Sequence, residues 1–131
     1  MKKGGILNPE LIAVLSSLGH TDLLVICDAG FPIPKDVKRI DLTLVKNIPR
    51  FLDILKAIYE EIVIEKVILA EEIEKTSPEL LEKIKEIIGN TPIEFVSHTK
   101  FKEISKNAKG IVRSAEFTPY ANIILVCGVA F

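Results

Sequence analysis

With 131 residues, of which 48% are hydrophobic and 27% charged, the chain has the length and composition of one globular domain over 1–131 and not of a disordered segment. Its 17 basic and 18 acidic side chains leave a net charge of −1, with no basic stripe and no Lys/Arg cluster interleaved with aromatics, which argues against nucleic acid as a partner. The start, "MKKGGILNPE", is charged but leads into no signal-like apolar stretch, and the longest apolar run, "IILVCGVAF", is too short for a bilayer, so the sequence predicts a cytoplasmic protein with no membrane partner.

In chain order, Asn8, Pro9 and Glu10 form a helix start: a side-chain cap, a ring-fixed first position and a carboxylate at the positive end of the dipole. The helix is expected to run to about Leu18, with Gly19 in the left-handed position beyond it and His20 just past the helix end. "LLVIC", Leu23 to Cys27, has the length and β-branched content of a buried strand. A Pro-rich loop, "DAGFPIPKDV", leads to a short strand near Arg39 to Leu42. Behind Pro49, the spacing of Phe51, Leu52, Leu55, Ile58 and Tyr59 predicts a second helix, followed by a strand over Glu65 to Ala70.

Glu71, Glu72 and Glu74 read as a solvated acidic face. Ser77, Pro78 and Glu79 repeat the capping signature, and Leu80, Leu81, Ile84, Ile87 and Ile88 line one face of a helix that Gly89 closes. A strand over Ile93 to Ser97, a short helix from about Thr99, a strand over Ile111 to Arg113 and a last strand over Asn122 to Val129 complete the chain. Strands alternating with helices imply an α/β layer structure with a mainly parallel sheet.

The sequence has neither a GxGxxG nor a GxxxxGK[ST] stretch, so dinucleotide and P-loop chemistry have no support. His20 and His98 lack HxH or HExxH spacing, and Cys27 and Cys127 sit in separate apolar runs, which predicts buried thiols and no metal cofactor. There is no GxSxG elbow. What remains is polar side chains at strand ends: His20 before and Asp28 after the first strand, His98 after "IEFVS", and "RSAEFTPYANI" between the last two strands. Ligands of open α/β sheets gather at the carboxyl ends of strands, where Asp28 and His98 lie if their strands are parallel, and the set is expected to form one pocket. Taken singly, His20 reads as a helix-capping surface residue sooner than as a catalyst, Asp28 as a turn former, and Tyr120 with Asn122 as a turn and strand start.

The motifs "LGHTD", "CDAGFPIP" and "PYANIIL" are specific in combination, and with "MKKGGILNPE" they make the chain resemble, from Met1 to Phe131, the D-ribose pyranase (RbsD) family, sister to the L-fucose mutarotases. The middle, Asn47 to Glu94, is similar mainly in its helix and strand pattern. "GHTD" and "DAGFP" favour the ribose branch over the "GHGD" and "DANFP" more typical of the fucose branch. The resemblance implies an RbsD-like three-layer α/β/α fold and an intramolecular isomerase that interconverts the pyranose and furanose forms of D-ribose without a cofactor. It places the proton donor on His20 and the sugar-binding positions on Asp28, His98, Tyr120, Ala121 and Asn122. Ala115 stands where a glycine is common in the family.

Such a reaction suits these residue types. Opening a hemiacetal needs one proton taken from the anomeric hydroxyl and one delivered to the ring oxygen, and imidazole exchanges protons near neutral pH. A mutarotase for another sugar such as L-fucose, a non-catalytic sugar-binding module, and an interaction protein remain as alternatives. The uncharged end at Phe131 and the high apolar content predict association into a homo-oligomer. The resemblance implies a decamer of two pentameric rings, with the pocket near a subunit boundary.

Overall fold

The computed structural model describes residues 1–131 and has six strands and five helices. Helix α1 (Pro9–Ser17) starts as its sequence dictates: Asn8 Oδ1 accepts the N–H of Leu11 at 2.9 Å, and Leu11, Val14 and Leu15 turn inward. It ends differently. Leu18 leaves the helix in an extended conformation, and the left-handed residue is Thr21 (φ 68°), not Gly19. The turn is fastened instead by Asp22 Oδ2, which accepts the Gly19 N–H at 2.8 Å, and by the Thr21 N–H donating to Cys127 O at 2.8 Å. These bonds to the neighbouring turn and to the last strand override the glycine preference.

Strand β1 (Leu23–Cys27) is followed by β2 (Arg39–Asp41), then α2 (Phe51–Tyr59), whose Phe51, Ile54, Leu55 and Ile58 form the buried face. Strand β3 (Ile64–Ala70) runs into a one-turn helix, α3 (Ile73–Thr76), absent from the sequence reading because a single apolar residue, the fully buried Ile73, carries it. Helix α4 (Pro78–Ile88) is closed by Gly89 at φ 56°. Its first residue is ring-fixed as expected, but Ser77 does not cap it; the Ser77 hydroxyl donates to Pro119 O at 2.7 Å. Strand β4 (Ile93–Val96), α5 (His98–Ser105), β5 (Gly110–Arg113) and β6 (Ile123–Cys127) complete the order. The last strand is shorter at both ends than the expected Asn122 to Val129.

The sheet order is β2-β5-β1-β6-β3-β4. Strands β2, β5 and β1 are parallel, as are β3 and β4, while β6 is antiparallel to both β1 and β3. Five strands thus point one way around a single reversed one. Alternation of side chains divides the sheet's two faces. Leu24, Ile26, Val67, Leu69, Ile123 and Leu125 meet α1, α2 and α4 in the larger core. Val25, Cys27, Ile111 and Ile124 meet Phe31 and Phe101 of α5 in the smaller one. The result is a three-layer arrangement with a heavy and a light helical side. No helix is long and apolar enough to cross a membrane.

This topology fixes where chemistry can occur. The carboxyl ends of β1, β3, β4 and β5 and the amino end of β6 share one edge of the sheet, so the segments carrying Asp28, Glu72, His98, Glu116 and Asn122 converge there.

Candidate functional site

Asp28, Gly30, Phe31, Pro32, His98, Pro119, Tyr120 and Asn122 line a cleft of about 260 Å³ at that edge. Asp28 and Asn122 are its most tightly joined pair. Asn122 Oδ1 accepts the Asp28 N–H at 2.9 Å and Asn122 Nδ2 donates to Asp28 Oδ2 at 3.2 Å. Asp28 Oδ1 accepts the Gly30 N–H at 3.0 Å, an Asx turn that explains the "DAG" sequence. Burial pushes the Asp28 carboxyl above its ordinary value, against the opposing hydrogen bonds from Gly30 and Asn122 and the nearby His98.

His98 opens α5. Its backbone N–H donates to both oxygens of Glu72 at 3.1 and 3.0 Å, and its ring packs among Phe31, Phe101 and Tyr120. Tyr120 holds a left-handed backbone, φ 61°, and Ala121 and Asn122 behind it are buried. The structure therefore brings Asp28, His98, Tyr120 and Asn122 together, with Ala121 buried beneath them against the larger core.

His20 lies elsewhere. It precedes β1, whereas Asp28 follows it, so five residues of strand, about 17 Å, separate the two ends. Its Nε2 lies 3.0 Å from Glu65 Oε2 at the start of β3, and the side chain is 54% exposed. It borders a second, more apolar cleft of about 560 Å³ with Leu15, Leu18, Val63, Cys127 and Phe131. The expectation of one pocket within one chain is thus corrected: parallel strands carry residues before and after them to opposite edges of the sheet.

Side chains that the sequence reading missed or misread hold the cleft in place. Glu72, grouped with the solvated acidic residues, anchors the start of α5 instead. Arg113 donates through Nε and Nη2 to Ala29 O at 3.0 and 2.8 Å and through Nη1 to Asp41 Oδ2 at 3.0 Å, tying the Asp28 turn to the end of β2. Glu116, 2% exposed, accepts from Arg50 Nη1 at 3.0 Å, the Phe51 N–H at 3.2 Å and Thr118 Oγ1 at 2.8 Å. The one available signal is the single acidic residue, Glu116, within "RSAEFTPYANI" between the last two strands. Ala115 stays outside the left-handed region and exchanges backbone hydrogen bonds with Asn47 and Pro49, so the position does not require glycine. A larger groove of about 880 Å³ between α2, α4 and residues 116–119 contains none of the motif residues other than Pro119.

The cysteines are interior, and burial pushes Cys127 up to about 11 and Cys27 higher still, so neither thiol is poised as a nucleophile. The cleft can exchange protons and hydrogen bonds with a small polyhydroxylated ligand: one carboxylate, one imidazole, one phenol and one carboxamide.

Comparison with known proteins agrees with this chemistry. The model of the RbsD / FucU transport protein family matches residues 1–130. The D-ribose pyranase of Geobacillus thermodenitrificans is 54% identical over 131 residues, covering 100% of this chain and 99% of that protein, and a D-ribose pyranase of Clostridium perfringens is 53% identical with both chains covered fully. The structure of Bacillus subtilis RbsD complexed with D-ribose matches with a TM-score of 0.96 at 46% identity over the whole of both chains. The fucose mutarotase of Streptococcus pneumoniae in complex with L-fucose matches with a TM-score of 0.83 at 26% identity, covering 95% and 94% of the two chains. Sequence and fold thus agree over the whole length, and the chain belongs to the RbsD / FucU family.

Proposed function

We propose that this chain is a D-ribose pyranase, an isomerase that interconverts the pyranose and furanose forms of free D-ribose by general acid–base catalysis with no cofactor. The observation that carries the reading is the cleft at the shared strand edge, where Asp28, His98, Tyr120 and Asn122 converge in a chain 54% identical over its full length to a D-ribose pyranase. Asp28, His98, Tyr120 and Asn122 bind the sugar hydroxyls, with Ala121 setting the backbone between the last two. His20 supplies the proton to the ring oxygen.

For His20 to do so, a second copy of the chain must bring it, because within one chain the length of β1 separates it from the cleft. That requirement supports a closed homo-oligomer in which each cleft is completed by a neighbour's His20; rings of five paired into a decamer are the assembly proposed. The exposed Val63, Val129 and Phe131 beside His20 supply apolar surface for such a contact.

Saturation transfer between the anomeric NMR signals of ribopyranose and ribofuranose tests the reaction. Faster exchange than in buffer is the expected result. Ribose binding, seen as a rise in melting temperature, without any acceleration between about pH 6 and about pH 8 would leave a sugar-binding module and end the proposal.

A further inference from the structure

The cleft contains two groups able to accept the anomeric proton, and the His98 ring distinguishes them. His98 Nδ1 is shut away from solvent and has no hydrogen-bond partner; it is the one buried side-chain N or O atom in the protein in that state. Such an orphan atom calls for an explanation. The ring is packed on three sides, with the Phe31 and Tyr120 rings edge-on at 6.3 and 5.2 Å and the Phe101 ring nearly parallel at 6.4 Å, and none of these neighbours gives Nδ1 a hydrogen bond. A neutral imidazole carries its proton on one nitrogen. A proton on Nδ1 would bury an N–H with nothing to receive it, whereas a bare Nδ1 buries only an unused lone pair, and carbon-rich surroundings tolerate the second better than the first. The proton therefore sits on Nε2, the nitrogen left to the cleft, and there the ring is a donor.

We infer that His98 acts as a fixed Nε2–H donor to the sugar and that Asp28 is the group that accepts the anomeric proton. This rests on the reaction proposed above and deepens it. Among the other groups lining the cleft, Asn122 spends both polar atoms on Asp28, and Tyr120 offers a phenol O–H, which serves the sugar as a hydrogen-bonding group. The adjacent Glu116 is sealed by Arg50, Phe51 and Thr118. Asp28 receives the Gly30 N–H on one oxygen and Asn122 Nδ2 on the other, with the Phe31 N–H also directed at the carboxylate, and a carboxylate has about four such sites, so one is left for the anomeric hydroxyl. The step then balances. Asp28 takes the proton of the anomeric hydroxyl as its oxygen becomes the carbonyl oxygen, the bond from the anomeric carbon to the ring oxygen breaks, and the ring oxygen receives the proton of His20. Closure through a different hydroxyl runs in reverse: that hydroxyl attacks the carbonyl carbon and returns its proton to His20, and Asp28 gives its proton back to the carbonyl oxygen.

The test has two independent parts. Nitrogen-15 NMR of the histidine-labelled protein without sugar, at about pH 8 where imidazole is ordinarily neutral, is expected to show His98 with a protonated Nε2 and an unprotonated Nδ1. The opposite tautomer overturns the donor assignment, whatever the enzyme catalyses. In the exchange assay, His98→Gln, which keeps an N–H where Nε2 stands, is expected within about tenfold of wild type, while His98→Ala falls about a hundredfold. Asp28→Asn is expected to lose at least about a hundredfold in kcat with ribose affinity changed less than about tenfold. His98→Gln as slow as His98→Ala, or Asp28→Asn with more than about a tenth of wild-type kcat, overturns the inference. Wild-type protein with no exchange would end the proposed reaction and Asp28's part in it, yet leave the tautomer readable.

Discussion

Asn122 and Asp28 grip each other at both ends: the carboxamide oxygen receives the Asp28 backbone N–H at 2.9 Å while its nitrogen donates to the Asp28 carboxylate at 3.2 Å. One residue thereby fixes both the turn that carries the carboxylate and the direction in which the carboxylate faces. Because Asn122 is 1% exposed, Asn122→Ala leaves the Asp28 N–H with no partner and should cost about 1–3 kcal/mol of stability. The same variant is expected to raise the KM for ribose. Melting curves at fixed protein concentration together with exchange kinetics check both, and an unchanged KM would show that the carboxylate needs no such guide.

The Asp28 carboxyl, raised above its ordinary 3.8 by burial, gives activity and stability opposite slopes against pH. Its folded form holds a proton more tightly than its unfolded form. Its contribution to stability is therefore fully present below the ordinary value and is lost as pH rises through the folded one. A proton acceptor must be ionised, so the exchange rate should climb over that same interval. The expected profile has an acid limb centred above the ordinary aspartate range, and Asp28→Asn should abolish that limb. A limb centred at or below the ordinary value would assign it to another group.

Arg50 and Glu116 offer a separate test of how the wall of the cleft is held. Glu116 is almost wholly buried, and Arg50 supplies its only charged partner at 3.0 Å, with a side chain that is 53% exposed. Removing one partner of a buried pair strands the other charge, at up to ~5 kcal/mol for a fully buried pair. Solvent at Arg50 should reduce this to about 1–3 kcal/mol for Arg50→Ala. If the cost arises from the stranded charge, Arg50→Ala combined with Glu116→Gln should melt higher than Arg50→Ala alone. A double variant that melts lower would assign the loss to packing.

Much of this architecture is legible in the sequence because local chemistry decides it. Asn8-Pro9-Glu10 makes a helix start wherever it occurs, and "LLVIC" and "IILVC" are strands because buried β-branched runs of that length leave few choices. Asp28 and His98 are legible because polar residues at the carboxyl ends of parallel strands converge on one edge of the sheet, whereas Tyr120 and Asn122, which precede β6, reach that edge only because β6 runs against its neighbours. What escaped depends on partners distant in sequence. Ser77 looks like a helix cap until Pro119, 42 residues away, takes its hydroxyl. Glu72 reads as solvated until the first N–H of α5, that of His98, arrives 26 residues later. The position of His20 required the direction of β1 to be followed through: a residue before a strand and a residue after it cannot share an edge of the sheet in one chain.

That geometry yields the most direct prediction for assembly. If each cleft takes its acid from a neighbouring copy, His20→Ala and Asp28→Asn damage different halves of every site. Each variant assembled alone has no intact cleft, since all its sites lack the same group. When the two are mixed, dissociated and reassembled, some clefts pair an intact Asp28 from one copy with an intact His20 from the other. With random 1:1 mixing this holds for about a quarter of sites, which should recover about a quarter of wild-type activity from two nearly inactive proteins. A site built within one chain forbids any recovery, because no copy in the mixture carries both groups. Size exclusion with light scattering establishes that mixed oligomers have formed. Mixed oligomers with no more activity than the parents would return His20 to the surface role that its exposure and its bond to Glu65 describe.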